Sequence, residues 1–497
     1  MLDLVTVILA AGKGTRMKSK LPKVLHKVAG KSMLQHVLDA AKEAGAKRNV
    51  VVVGFGGEQV QNAIGAQAEF VMQKEQLGTG HAVKQAASLL AKEAGTVMVL
   101  CGDTPLVTSE LITKLYEGHK AAGAKATVLT AIMPDSTGYG RIIRTPAGDV
   151  ARIVEQKDAT DEERQIKEVN SGIYCFECKE LFEAFDKVGC DNAQGEYYLP
   201  DVLGILREQG EKIWAVATDD YESTLGINSR VQLSGAEKIL RRRKNIELMD
   251  NGVTLMDPDS TFIDADVEVG PDTVIYPFTW LEGKTVIGSE CEIGPNCRFT
   301  NVTIGDKVTA HFAYGHDCTV ADGVDFGPYV HLRPNTNIGK DVHIGNFVEV
   351  KNSNIGEGTK LPHLQYIGDS DVGSHVNCGC GTVTANYDGK NKFRTTIGGQ
   401  ALIEGILMRG PEKQAIVVRD QDGKLVEKVE ELRLIKDRYP ILGLPLIRGT
   451  VNFLTAMVAG VKALMYSADF YPDEEEDAEP SKFEKWLEAH VSSKKLE

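Results

Sequence analysis

The spacing of apolar positions changes near residue 253, and that change organises the chain. Up to about residue 228, short runs of β-branched and aliphatic residues lie at 5–8, 50–53, 97–100 and 127–132. Runs of this kind predict strands buried on both faces. Between them apolar residues return every three or four places, predicting amphipathic helices over 32–44, 80–92 and 109–122. Strands alternating with helices predict an open, mostly parallel sheet with helices on both faces, a Rossmann-like α/β fold. Residues 230–249 predict one long helix, ended by Asn251-Gly252 and read as a spacer.

Beyond the helix the period becomes six. Ile287-Gly288, Ile293-Gly294, Ile338-Gly339, Ile344-Gly345, Val350, Ile355-Gly356, Leu361, Ile367-Gly368 and Val372-Gly373 recur at steps of six, with occasional fives. An aliphatic residue at every sixth place, followed by a small or polar one, predicts a parallel β-helix of triangular coils. The period stops after Ile397-Gly398. The tail then predicts a hairpin, 415–419 with 425–429, across Asp422-Gly423. An apolar helix follows over 451–466, then an acidic run at 473–477 read as disordered, and a last short helix at 482–490. The apolar helix is too short to span a bilayer and reads as buried or interfacial. Four segments result: 1–228, 229–252, 253–398 and 399–497.

Composition narrows the function. The chain has 497 residues and a net charge of −14, which argues against general nucleic-acid binding. The basic cluster Arg241-Arg242-Arg243-Lys244 therefore reads as a solvated helix face. Nine cysteines without framework spacing, and no secretory leader, point to a reducing cytoplasm. Cys175-x-x-Cys178 and Cys378-x-Cys380 lack the second pair or histidines of a zinc site.

The chemistry lies where the strands end. After the first comes Leu9-Ala10-Ala11-Gly12-Lys13-Gly14-Thr15-Arg16, completed by Pro22-Lys23. A glycine-rich turn after a strand offers backbone N–H groups to a phosphate, and Arg16 and Lys23 add positive charge. The run is neither a P-loop nor G-x-G-x-x-G. Gln73 and Gln76-Leu77-Gly78-Thr79-Gly80 suit a base edge and a nearby phosphate. Asp103, in Cys101-Gly102-Asp103, suits Mg²⁺, which takes one or two carboxylates with phosphate oxygens and water. Gly138–Arg141, Glu155-Gln156-Lys157, Asn170-Ser171-Gly172 and Asn228 are further polar clusters beside apolar runs.

The run L-A-A-G-x-G-T-R-M-x-x-x-x-P-K resembles the signature of sugar-nucleotide pyrophosphorylases. Residues 1–398 as a whole resemble the bacterial bifunctional N-acetylglucosamine-1-phosphate uridyltransferases/glucosamine-1-phosphate N-acetyltransferases. That resemblance implies uridylyl transfer from UTP to N-acetylglucosamine 1-phosphate, dependent on Mg²⁺. It implies nucleotide contacts at Leu9, Ala10, Ala11, Gly12, Lys23, Gln73, Gly78 and Thr79, with Arg16 beside them. It implies metal ligands at Asp103 and Asn228, and sugar contacts at Gly140, Glu155, Asn170 and Asn228.

For the hexad region the resemblance implies a left-handed β-helix, a homotrimer, and acetyl transfer from acetyl-CoA to glucosamine 1-phosphate. His363 matches the general base. Arg333, Lys351, Tyr366, Asn377, Asn386 and Tyr387 match sugar-phosphate or acetyl-donor positions, and Cys380 a coenzyme contact. A histidine titrating near neutrality suits removal of a proton from an attacking amine. Six of the eleven histidines (His311, His316, His331, His343, His363, His375) fall here, which raises a trimeric zinc hydratase as a rival. The set Arg333, Lys351, Asn386 and Tyr387 has no purpose in such an enzyme. Two further rivals are another sugar-nucleotide pyrophosphorylase with a structural β-helix, and a trimeric scaffold whose tail docks on membrane. From Gly398 the family's later coils give way to a non-family α+β tail. Gly398–Pro411 and Pro445-Leu446-Ile447-Arg448-Gly449 resemble the start of an unrelated bacterial membrane-protein family of unknown function, as though two partial reading frames were joined. In the resembled family the later coils help enclose acetyl-CoA, so acetyl transfer depends on whether the tail completes that pocket.

Overall fold

The computed structural model describes residues 3–145, 148–192, 195–384, 386, 398–402, 405–409, 413–420, 422, 424–431 and 445–470. The chain divides into two compact units, Met1–Glu247 with Ile263–Asp266, and Leu248–Phe262 with Val267–Glu497.

The first unit holds a nine-stranded sheet. Its strands are β1 (Leu4–Ala10), β2 (Arg48–Val53), β3 (Glu69–Met72), β4 (Thr96–Cys101), β5 (Ala126–Ile132), β6 (Arg141–Arg144), β7 (Val150–Val154), β8 (Glu168–Glu177) and β9 (Ile213–Thr218). The spatial order is β9-β5-β8-β4-β1-β2-β3, with the β6–β7 hairpin joined to β8. Strands β4, β1, β2 and β3 are mutually parallel, and β9 is parallel to β5. Strand β8 runs antiparallel between β4 and β5. The apolar pattern marks a buried strand but carries no direction, so this reversal cannot be read from it.

Alternate side chains of the central strands enter two cores. Val7, Val50, Val52, Val97 and Val99 pack on one face; Leu4, Ile8, Val51, Val53, Met98 and Leu100 pack on the other. Helix α1 (Met33–Glu43) starts at Ser32, whose hydroxyl accepts from Gln35 N at 3.1 Å. The helix expected over 80–92 is two pieces, α2 (Thr79–Gln85) and α3 (Ala87–Leu90), because Ala86 N bonds three residues back to Val83 O. Helix α4 (Ser109–Ala122) runs from its Thr108 cap to Gly123, whose left-handed conformation stops it.

The long helix α5 (Arg230–Asp250) packs within the first unit over most of its length. Ala236 joins Val28, Met33, Leu106 and Ile227 in a small core. Its basic cluster keeps a solvated face, with exposed Arg242 pairing with Glu222 at 2.6 Å, while Arg243 reaches in to donate to Leu106 O at 2.8 Å.

The second unit holds the β-helix. Three columns of parallel strands stack coil upon coil. One column's inward residues are Ile275, Ile293, Ala310, Phe326, Ile344 and Leu361, each in register with the next. The others run through Leu281, Phe299, Gly315, Leu332, Val350 and Ile367, and through Ile287, Ile304, Val320, Ile338, Ile355 and Val372. Phe299 and Phe326 lie 5.9 Å apart inside, and the small Gly315 and Ala310 are their register neighbours. At the corners many non-glycine residues take positive φ, among them Asp272, Asn301, Asp317, Asn335, Asp341 and Asn352. Asp and Asn tolerate that region better than most residues, but Phe278, Phe312, Tyr329 and Phe347 adopt it too, so the coil geometry imposes it and residue preference does not.

In the tail, Gly398–Leu402, Gly405–Arg409, Lys413–Arg419 and Leu425–Glu431 form an antiparallel sheet in sequence order. Leu407, Ile416 and Val418 pack on Ala463 of the helix Pro445–Ala468. The expected hairpin and apolar helix are therefore present, with longer bounds. The acidic run 473–477 and the helix over 482–490 lie outside the described residues. Among the described residues, no helix is long and apolar enough to cross a membrane.

Candidate functional site

Parallel strands send their C-terminal ends to one edge of a sheet, where α/β folds bind ligands. Strands β1, β2, β3 and β4 end at Ala10, Val53, Met72 and Cys101. This places Ala11-Gly12, Gln73 and Gly102-Asp103 along one edge. Strand β8 runs the other way, so its first residues, including Asn170, reach the same edge. Asn170 N then bonds Gly140 O at 2.8 Å.

The loop after β1 is shaped for close approach. Gly14 has φ 59°, and a Cβ there would sit 2.6 Å from Lys23 Cβ. A Cβ on Gly12 would meet nothing within 4 Å, so Gly12 faces open space. Gly102 N donates to Leu9 O at 2.9 Å, locking the first and fourth strand ends together. Arg16 lies exposed in the 3-10 turn Thr15–Met17.

Lys23, Asp103 and Asn228 converge. The Lys23 ammonium pairs with the Asp103 carboxylate and donates to Asn228 Oδ1 at 3.0 Å. Ile227 N bonds Asp103 O at 2.8 Å, which ties the Asn228 segment to the end of β4. Because one ammonium touches both oxygen donors, both can reach one small cation. A carboxylate and an amide oxygen are hard donors, which fits Mg²⁺ completed by phosphate and water oxygens.

Asp103 and burial also act on their neighbours. Burial first, then the Asp103 charge, pushes the Cys101 thiol up to about 12. A thiol so placed is not a nucleophile at neutral pH. Burial, with Asp103, likewise raises the Tyr139 phenol.

Just after β3, Gln73 is 3 % exposed, and its Nε2 donates to Gly78 O at 3.2 Å. Gly78 has φ 104°, and a Cβ there would lie 2.6 Å from Tyr197 O. The segment after Gly195 clamps this loop: Tyr197 N bonds Leu77 O, Gly80 N bonds Tyr197 O, and Leu199 N bonds Thr79 Oγ1 at 3.1 Å. Beside the start of β8, Gly140 leaves room for Glu155, whose Oε1 would be 3.1 Å from a Cβ. Burial first, then Asp158 and Asp201, holds the Glu155 carboxyl above its ordinary pKa. Asn170 donates to Tyr174 OH at 2.6 Å and accepts from Gly172 N at 3.0 Å.

In the β-helix, Lys351, Tyr366 and Asn386 come together around Asp369. Asn386, 8 % exposed, donates to Asp369 Oδ2 at 2.5 Å and to Tyr366 OH at 3.2 Å. Lys351 Nζ lies 3.9 Å from Asp369 Oδ2. Arg333 donates to Glu349 at 2.8 Å. His363 is exposed in the strand Lys360–Gly368, in register with Asn346, and the chain turns at Leu364 (φ 49°) before Tyr366. Asn377 and Cys380 are exposed. Tyr387 lies outside the described residues.

Some participants were not singled out from sequence. Asp369 and Glu349 partner Lys351 and Arg333 across one coil, a separation of 18 and 16 residues. That spacing of opposite charges was the available signal, since coil neighbours lie about that far apart. His81 and the clamp at Tyr197 carried no comparable signal.

Residues 6–139 match the family model for the MobA-like NTP transferase domain. Residues 444–494 match a family described only as a protein of unknown function, DUF1385, and that description says nothing of membranes. The bifunctional protein GlmU of Shouchella clausii is 54 % identical over 391 residues, covering 79 % of this chain and 86 % of the relative. The GlmU protein of a Geobacillus species (strain WCH70) is 53 % identical over 397 residues, 80 % of this chain and 86 % of the relative. That of Listeria monocytogenes serotype 4a is 50 % identical over 397 residues, 80 % of this chain and 87 % of the relative. Identity of this extent, with a nucleotidyltransferase sheet followed by a hexapeptide β-helix, places the chain in the family of bifunctional GlmU proteins.

Proposed function

We propose that this chain makes UDP-N-acetylglucosamine, joining UTP to N-acetylglucosamine 1-phosphate at the sheet edge and transferring acetyl from acetyl-CoA to glucosamine 1-phosphate on the β-helix. The observation that carries the first activity is the convergence of Lys23, Asp103 and Asn228 at the end of β4. In this reading the sugar-phosphate oxygen attacks the α-phosphorus in line, the bond to the β-phosphate oxygen breaks, and pyrophosphate leaves. No protein nucleophile takes part, in keeping with the raised pKa of Cys101. Backbone N–H groups of Leu9 to Gly12, with Arg16 and Lys23, hold the phosphates and offset their charge. Gln73, Gly78 and Thr79 hold the base and ribose side, and Gly140, Glu155 and Asn170 the amino sugar. Mg²⁺, held by Asp103 and Asn228, supplies charge neutralisation and orientation of the phosphates when bound.

For the second activity, Arg333 and Lys351 bring positive charge for the sugar phosphate, with Tyr366, Asn377 and Asn386 beside them. His363 takes the proton of the attacking amine, and Cys380 contacts the coenzyme. The working unit is a trimer formed through the β-helix, in the cytoplasm. Segment 1–228 carries the first activity and 253–398 the second. Family membership, with this sugar-phosphate set, favours acetyl transfer over the zinc hydratase.

Product analysis tests the reading. The purified full chain should convert UTP and N-acetylglucosamine 1-phosphate to UDP-N-acetylglucosamine and pyrophosphate. It should also release CoA thiol from acetyl-CoA with glucosamine 1-phosphate, and His363→Ala should abolish that release while sparing the first reaction. No thiol release from folded protein would remove the second activity from the proposal.

A further inference from the structure

We infer that His81 is a specificity-positioning residue, fixing the Gln73 amide so that its oxygen, not its nitrogen, faces the nucleobase. The inference rests on the uridylyltransferase reading above, in which Gln73 meets the base.

A buried amide can sit two ways round, and its neighbours decide which. Gln73 Nε2 lies 3.2 Å from Gly78 O and 3.1 Å from His81 Nδ1. The carbonyl only accepts, so the group facing it is the amide nitrogen. Its second hydrogen then points to the His81 ring. Both hydrogens are thereby used, and no group among the described residues donates to Gln73 Oε1. The oxygen is the end left for a ligand.

The ring itself must choose. His81 Nε2 lies 3.2 Å from Gln85 Nε2, and a neutral imidazole has one lone-pair nitrogen. Gln85 already donates to His81 O at 3.0 Å and is only half-buried. Gln73 is 3 % exposed, so leaving its hydrogen unpaired costs more. The lone pair therefore belongs on Nδ1, and Nε2 carries the hydrogen.

An amide oxygen held toward the base accepts from a ring N–H, as uracil presents at N3. Cytosine presents a lone pair at that position and meets repulsion. His81 thus turns a two-way amide into an acceptor that selects the imide class of base.

The test compares kcat/KM for UTP and CTP, each with N-acetylglucosamine 1-phosphate, in wild type, His81→Phe and His81→Asn. The ratio is independent of how much enzyme is folded. Phe fills the space without an acceptor, whereas Asn places an oxygen where Nδ1 was. The UTP preference should fall about tenfold in His81→Phe, mainly through KM for UTP, and return in His81→Asn. An unchanged ratio in His81→Phe, or an equal loss in His81→Asn, would overturn the inference while leaving uridylyl transfer standing. A wild-type chain that turns over neither nucleotide would overturn both.

Discussion

Replacing Asp103 with Asn removes one unit of charge from the cluster and little volume. The Asp103 and Lys23 side chains are 21 % and 14 % exposed, so water screens the pair only in part. Unit charges about 4 Å apart at an effective dielectric near 20 interact by about 4 kcal/mol. In the proposed reaction the substrate phosphates and their cation would meet this carboxylate in the same setting. Loss of it should lower kcat/KM for uridylyl transfer by about 10²–10³, or about 3–4 kcal/mol of barrier. The fold should suffer far less, because Lys23 keeps Asn228 Oδ1 at 3.0 Å. A loss of about 1 kcal/mol lowers Tm by about 2–4 °C in a domain of this size. Continuous pyrophosphate release over a range of Mg²⁺ concentrations, with thermal melting of the same preparations, reads both quantities. The variant should need more Mg²⁺ for half-maximal rate. A rate within about threefold of wild type at ordinary Mg²⁺ would refute the argument that this carboxylate holds the metal.

Two further perturbations follow from the geometry. Burial raises the Glu155 pKa, so its carboxylate is protonated at a higher pH than an ordinary glutamate as acid is added, and a negatively charged hydrogen-bond acceptor is lost there. KM for N-acetylglucosamine 1-phosphate should therefore climb on acidification in wild type and stay flat in Glu155→Gln; an identical acid limb in the variant would refute the role. Gly78→Ala forces a side chain into φ 104° with its Cβ 2.6 Å from Tyr197 O. It should cost about 1–3 kcal/mol and raise KM for UTP, and an unaltered Tm and KM would show that the Tyr197 clamp does not hold the loop.

The sequence exposed most of this architecture because two different periods run through it. Short apolar runs located β1, β2, β4 and β5, and hexads located the coils. Strand β8 was invisible as an antiparallel insertion, since Val169, Ile173, Tyr174 and Phe176 are buried as a parallel strand's residues would be. The basic cluster on α5 shows a different limit. Arg242 and Arg243 find Glu222 and the Leu106 carbonyl only after folding, so their spacing alone could not name a partner. The candidate site was legible where residues follow parallel strands, at Gly12, Gln73 and Asp103. It was not legible where a backbone segment far along the chain closes it, as Tyr197 closes on Gly78 and Gly80. In the β-helix the insertions at Arg333, Lys351 and Tyr366 stood out from the hexads, whereas Asp369 occupied an ordinary corner position and gave no such contrast.

Uridylyl transfer at the sheet edge is tested most directly by which sugar phosphate that edge accepts. Pyrophosphate release from UTP should be measured with the full chain against N-acetylglucosamine, glucose, galactose and mannose 1-phosphates at equal concentration. The arrangement of Gly140, Glu155 and Asn170 predicts that N-acetylglucosamine 1-phosphate is strongly preferred. Equal or faster turnover with glucose 1-phosphate, or no turnover of any of them by folded protein, would contradict it.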